Sequence, residues 1–300
     1  MQQGSSVFPG DDHLSFDFAA NPSNEGSRRV GALLLHGFMG TPRELRPLGR
    51  ALAADGVRAV APLLPGFGPQ IADLAQTTAS DWMTAVNTAW TTLRAESDRT
   101  LLVGFSFGAA LALQAAANAE PDALILISPY VRLIDLPSWV LVAGLPVLKR
   151  TIKRFSPYAR ADFTDPEVRR FFQQMDPALD LDDIATQNLL RQRSTIPFSV
   201  IDQMRQVTDR GRKAASTVTA PTLLIQGTRD DTSTVARTRA LAGSLRGPLT
   251  LRELDADHLI VDDQKPSWPT TRDSVLSFAR EQLDPQQIDQ EADATPVSSR

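Results

Sequence analysis

The chain contains no cysteine and only three histidines among its 300 residues. The first absence excludes disulfides, thiolate metal sites and a cysteine nucleophile together. The second confines any imidazole chemistry to His13, His36 or His258, and a multi-histidine metal site would have to gather them from across the chain. An excess of positive charge is also missing: 31 basic against 35 acidic side chains leave a net −4, which argues against nucleic acid as a partner. Long apolar runs are absent too. The apolar stretch Leu136 to Leu148 covers 13 residues and is interrupted by Pro137, Gly144 and Pro146, whereas a bilayer span needs about 20. No transmembrane segment is expected, and the first residues lack the basic and apolar regions of a secretory signal, so the expected location is cytoplasmic. Small molecules are the expected partners.

What the chain does have is a regular alternation. Short runs rich in leucine and β-branched residues, Gly31–His36, Val57–Pro62, Thr100–Phe105, Ala123–Ser128, Thr222–Gln226 and Leu249–Leu254, read as strands. Most are apolar at successive positions, as expected of parallel strands covered by helices on both faces. Between them, Thr41–Asp55, Ser80–Glu96, Gly108–Glu120, Ser199–Ala215, Thr234–Leu245 and Asp273–Leu283 read as helices. Thr41, Pro42 and Glu44 supply a capping residue, a first-turn proline and a glutamate three residues on, and Gly56 supplies a stop. Strand and helix in this rhythm predict an α/β fold with a mostly parallel sheet and helices on both faces.

From Val131 to Pro197 no core strand is evident. This segment holds the apolar stretch Leu136–Leu148, a basic cluster (Lys149, Arg150, Lys153, Arg154) and an acidic one (Asp176, Asp180, Asp182, Asp183), and it reads as a helical insertion over the C-terminal edge of the sheet, where ligand crevices of α/β folds form. Residues 284–300 are polar, have little to bury and are expected to be a disordered tail.

Gly104-Phe105-Ser106-Phe107-Gly108 follows the strand LLVGF and opens an alanine-rich helix. A sharp strand-to-helix turn of this type holds the serine hydroxyl clear of the sheet edge, at the positive end of the following helix. A hydroxyl is a poor nucleophile until a base takes its proton, so a histidine is required, and a carboxylate to orient it. His258 lies in the loop after the last strand. His36 ends the first apolar strand and is better suited to buttress the turn Gly37–Gly40 through hydrogen bonds; His13, in the polar N-terminal arm, has no assigned part. For the acid, Asp230 follows Gly227 by three residues at the end of the strand TLLIQ and is preferred; Asp231 is its rival and Asp135 a distant third. Asp255 and Asp257 read as solvated loop acids. The backbone N–H groups of Phe38 and Phe107 are the expected oxyanion donors, and Phe38, Phe67 and Phe107 would make the pocket mouth apolar.

With LLLHGFMGTP (33–42), PLLPGFG (62–68), SDWMTAV (80–86), VGFSFGA (103–109), IQGTRDD (225–231) and DHLIVDD (257–263) in place, the chain resembles the serine carboxylesterase and monoacylglycerol lipase branch of the α/β-hydrolase fold over roughly residues 30–283. The resemblance implies Ser106 as nucleophile, Asp230 as acid, His258 as base, the Phe38 and Phe107 amides as oxyanion donors, and no metal or organic cofactor. It implies an N-terminal arm (1–29), a hydrolase core (30–130 and 198–283), a compact helical cap or lid (131–197) and the tail. One departure is visible: the family often has P-G-H-G where this chain has Pro65-Gly66-Phe67-Gly68, an apolar residue at a polar position. The activity implied is cleavage of short- to medium-chain acyl esters or monoacylglycerols. The alternatives are an acyl thioesterase, for which Lys149–Arg154 would meet a phosphate, and a non-catalytic ligand-binding hydrolase scaffold; dehalogenase and epoxide hydrolase chemistry would require an aspartate where Ser106 stands.

Overall fold

The computed structural model describes residues 10–21, 28–131, 154–155, 161–175, 179–193 and 196–283. In chain order these form strands β1 (Phe16–Phe18), β2 (Val30–Leu35), β3 (Val57–Ala61), β4 (Arg99–Phe105), β5 (Ala123–Ile127), β6 (Arg154–Phe155), β7 (Ile196–Pro197), β8 (Thr222–Gly227) and β9 (Leu249–Leu254). The α-helices are α1 (Arg46–Ala54), α2 (Ala79–Ala95), α3 (Phe107–Ala119), α4 (Pro166–Met175), α5 (Ile184–Arg193), α6 (Phe198–Ala214), α7 (Val235–Ala242) and α8 (Trp268–Leu283).

Seven strands make one sheet in the order β1-β3-β2-β4-β5-β8-β9. All pairings are parallel except that of β1, which lies antiparallel against β3. Side chains of a strand alternate between faces, and here both faces are apolar. Leu33, Leu35, Leu102, Leu124 and Leu126 join one core with α2, α3 and α6. Their neighbours Ala32, Leu34, Leu101, Val103 and Ile125 join the other with α1 and α8. The strands therefore lack the polar alternation of a one-sided sheet, as the sequence predicts. The exception is β9: Leu249 and Leu251 are exposed, because this strand is the sheet's edge.

Three local expectations are corrected. The Thr41–Asp55 segment begins as a 3-10 turn, Pro42–Leu45, before α1, and the Thr41 side chain makes no cap bond. Its hydroxyl instead meets Nδ1 of His13 at 3.0 Å. His13 is thus a buried anchor of the N-terminal arm, and a buried ring nitrogen takes the partner nearest in space. Arg46 holds the same arm by donating to the carbonyls of Asp12, Asp11 and Leu14. The last helix starts at Trp268 rather than Asp273, with Pro269 in its first turn, where a missing N–H costs nothing. Finally, α2 is closed by a capping box between Thr78 and Asp81 that the sequence pattern did not single out.

Within the inserted segment, α4 and α5 share a small apolar cluster of Phe163, Phe172, Leu181 and Leu190, separate from the two cores of the sheet. The apolar stretch Leu136–Leu148, the alternative acid Asp135, the basic residues Lys149, Arg150 and Lys153, and the tail 284–300 lie outside the described residues. No described helix is long and apolar enough to cross a membrane.

Candidate active site

Ser106 sits between β4 and α3 with φ 52° and ψ −116°, a conformation that residues other than glycine rarely adopt. Two glycines make the turn possible. A Cβ on Gly104 would fall 2.5 Å from Ala109 Cα, and one on Gly108 would fall 2.0 Å from the Leu35 carbonyl oxygen. Backbone bonds hold the strained residue on both sides: Ser106 N–H donates to Ile127 O at 2.9 Å, and Tyr130 N–H donates to Ser106 O at 3.0 Å.

His258 lies in the loop between β9 and α8, far along the chain from Ser106. Its Nε2 meets Ser106 Oγ at 2.8 Å, and its Nδ1 meets Asp230 Oδ2 at 2.7 Å. The partners assign the tautomer: Nδ1–H donates to the carboxylate, leaving Nε2 to accept from the serine hydroxyl. The Phe105 ring lies 5.5 Å from the imidazole and supports it from below the strand end.

Asp230 is buried in the loop after β8 and has its acceptor sites filled. Oδ1 accepts from Thr232 N–H at 2.8 Å and Ser233 N–H at 2.7 Å, and Oδ2 accepts from Gln226 Nε2 at 3.0 Å as well as from His258. Burial by itself pushes the carboxyl pKa up, but the His258 bond and charge and the Ser233 and Gln226 donors outweigh it and hold the group below its ordinary value. Asp231, the rival acid, is exposed and makes none of these contacts. The sequence pattern alone gives Gln226 no part in the site. Its amide also donates to Gly227 O and Ser233 O while its carbonyl accepts from Thr238. The available signal was a glutamine ending an otherwise apolar, fully buried strand.

Asp255 and Asp257 do more than meet water. Asp255 pairs with Arg229. Asp257 accepts from Leu259 N–H at 2.9 Å and from the ammonium of Lys265, which is only 8% exposed. These contacts tie down the loop on either side of His258.

Across the sheet edge, the turn after β2 carries Phe38. His36 buttresses it: Nδ1–H donates to Gly37 O at 2.9 Å, and Nε2 accepts from Leu64 N–H at 3.1 Å. Complete burial lowers the His36 pKa to about 4, so its ring is neutral and keeps both bonds at neutral pH. Phe107 is the first residue of α3, where a helix leaves its N–H groups without intrahelical acceptors. The aromatic side chains do not form the pocket mouth as expected. Phe67 and Phe107 are fully buried, Phe67 stacks on Trp82, and both pack edge-on against the half-buried Phe38. A crevice of about 450 Å³ opens beside this turn rather than over Ser106; Met39, Gly40, Glu44 and Leu259 are among its walls.

Comparison with known proteins agrees with this architecture. A profile of the alpha/beta hydrolase family matches residues 32–266. A thermostable monoacylglycerol lipase of Bacillus sp. (strain H-257) is 30% identical over 162 residues, a match that takes in 54% of this chain and 63% of the lipase. The chain thus spans less than two thirds of the length of that curated relative. Among solved structures, one from the work on LipS and LipT, two metagenome-derived lipolytic enzymes, superposes with a TM-score of 0.69 at 21% identity, covering 92% of this chain and 99% of that one. A monoacylglycerol lipase of Paleococcus ferrophilus superposes with a TM-score of 0.66 at 19% identity over 90% of this chain and 98% of its own. At these identities the structural likeness concerns the fold.

Proposed function

The chain belongs to the alpha/beta hydrolase family, and on that premise we propose that it hydrolyses carboxylic esters through a seryl acyl-enzyme. The observation that carries the proposal is the unbroken hydrogen-bond line from Ser106 Oγ through the His258 ring to Asp230. Ser106 Oγ attacks the ester carbonyl carbon while Nε2 of His258 takes the hydroxyl proton. The imidazolium is stabilised by the Asp230 carboxylate, which stays ionised because its donors hold its pKa down. Collapse of the tetrahedral intermediate breaks the bond to the alcohol oxygen, which leaves with the proton from Nε2. Water then repeats the sequence on the acyl-serine, giving Nε2 a proton and releasing the carboxylic acid with the regenerated serine.

The negative oxygen formed in each half-reaction is assigned to the N–H groups of Phe107 and Phe38. The first gains from the positive end of α3. The second is the N–H of the peptide whose carbonyl accepts from His36. Removing one such donor typically costs about 3 kcal/mol in the barrier.

Segment 131–197 is proposed to be the cap over this site, the α4–α5 cluster being its own small core. The substrate class proposed is short- to medium-chain acyl esters, monoacylglycerols included, a choice supported by the name of the Bacillus relative. Turnover of p-nitrophenyl esters and monoacylglycerols of graded chain length, with acyl-CoA esters in parallel, tests the class, with Ser106→Ala as control. Equal turnover by the Ser106→Ala variant would refute the acyl-enzyme, and a preference for acyl-CoA would replace the ester assignment by a thioesterase.

A further inference from the structure

The turn that carries Phe38 is gripped from two directions. His36 takes the Gly37 carbonyl, as described. On the other side the Glu44 side chain, from the 3-10 turn Pro42–Leu45, accepts the Gly37 N–H at 3.1 Å through Oε2. The chain bends closely around this carboxyl group. A Cβ on Gly40 would lie 2.2 Å from Glu44 Oε2, and Gly40 N–H closes the turn on Gly37 O at 3.3 Å. Met39, between them, has a positive φ of 62°, a strained state that persists only where its surroundings impose it. The mechanism above makes no use of Glu44.

We propose that Glu44 is a positioning residue: its carboxyl group holds the Gly37–Gly40 turn in the conformation that aims the Phe38 N–H at the reacting carbonyl oxygen. The proposal rests on the oxyanion role assigned to Phe38.

A consequence follows for pH. Loss of solvation beneath the turn raises the Glu44 pKa to about 7, against a smaller opposing contribution from the Gly37 N–H. The other groups that face it across the crevice are Asp12 and His13 of the arm, Arg43, Arg46 and Arg50 of its own turn and helix, and Asp262 and Asp263 of the loop after His258. His36, beyond the turn, is neutral over this range. The bond from Gly37 is present in both ground and transition states and so does not change the barrier when Glu44 ionises. The carboxylate charge does differ, because it repels an oxyanion that exists only along the reaction path. Ionisation of Glu44 therefore lowers kcat as pH rises through 7.

Two variants and one spectroscopic measurement test this. Glu44→Ala frees the turn, and kcat should fall about 10- to 100-fold, less than the roughly 10²- to 10³-fold of a donor lost outright because the Phe38 N–H is misaimed rather than removed, with KM changed less than about threefold. Glu44→Gln keeps an acceptor for Gly37 N–H, so it should recover at least about tenfold of that loss and lack the fall in kcat above pH 7. In protein labelled with 15N-glycine, the Gly37 amide should titrate near pH 7 in the wild type and not in Glu44→Gln. A folded Glu44→Ala variant with wild-type kcat, or a Gly37 amide whose shift Glu44→Ala leaves unchanged, overturns the proposal whatever the substrate. A titrating Gly37 amide in a protein that turns over no ester sustains the grip on the turn and refutes only the ester-hydrolase function.

Discussion

Lys265 pairs with Asp257, the residue immediately before His258, and the pair is largely withdrawn from water on the lysine side. With the Leu259 N–H also on the Asp257 carboxylate, the loop that presents His258 is braced by an ion pair from one flank and by the Asp230 carboxylate from the other.

Lys265→Met is expected to leave Asp257 half-buried without its cation. Breaking a buried pair from one side costs about 3–5 kcal/mol, and the partial exposure of Asp257 reduces this to about 2 kcal/mol, a Tm fall of about 5 °C. Thermal melts of Lys265→Met, Asp257→Asn and the double variant check it: the double variant should be more stable than the sum of the two single losses predicts. Additive losses would show that the pair contributes nothing as a pair.

Asp230→Asn should reduce kcat about 10³- to 10⁴-fold, because an amide in that position can donate to Nδ1 and favours the wrong tautomer. Asp231→Asn, at an exposed neighbour, should stay within about twofold of wild type by the same assay. A reversal of these two results would transfer the acid role to Asp231.

Two groups withdrawn from water, His36 wholly and Glu44 in part, make opposite contributions to stability between about pH 4.5 and 6.5. His36 titrates near 4 in the folded chain against an ordinary 6.5, so its contribution is complete above 6.5 and is lost as pH falls towards 4. Glu44 titrates near 7 against 4.5, so its contribution is complete below 4.5 and is lost as pH rises towards 7. In the wild type the two slopes oppose each other. Glu44→Gln removes one of them, and its Tm should rise by about 5 °C or more, relative to wild type, as pH goes from 4.5 to 6.5. A Tm difference that stays constant with pH would show that Glu44 does not titrate in this window.

Gly108→Ala places a methyl group 2.0 Å from the Leu35 carbonyl oxygen, a backbone atom of a central strand that has nowhere to move. The expected result is loss of soluble protein or a Tm fall above about 10 °C. Ala109→Gly, one residue on, removes only a methyl group and should lower Tm by a few degrees. Circular dichroism melts of both separate the steric requirement at 108 from a general helix effect.

Much of the fold was legible because its signals are local. Most of the six parallel strands betray themselves by apolar residues at successive positions, which only a sheet covered on both faces can bury, as Leu33 and Leu34 do on opposite sides; edge strand β9 is the exception. β1 carries no such signal, because three residues, Phe16 to Phe18, hold too little pattern to separate a strand from an arm. Thr41 departs from its pattern for a different reason: the capping signature is present in sequence, but the buried ring of His13 competes for the same hydroxyl from 28 residues away. Ser106 announced itself through the glycines on either side, whose absent side chains are demanded by the turn.

The sequence by itself determined which residue types were available for chemistry: one serine in a strand-to-helix turn, no thiol, and three histidines of which a single one follows the last strand. The tertiary structure decided what each of them touches. Asp230 rather than Asp231 meets His258 because its oxygens are aimed by Thr232, Ser233 and Gln226. Lys265 and Gln226 acquire their parts through burial, and the half-buried Glu44 through the turn folded against it. A polar group taken out of water binds the partner that lies nearest in space, and spacing along the chain does not record that distance.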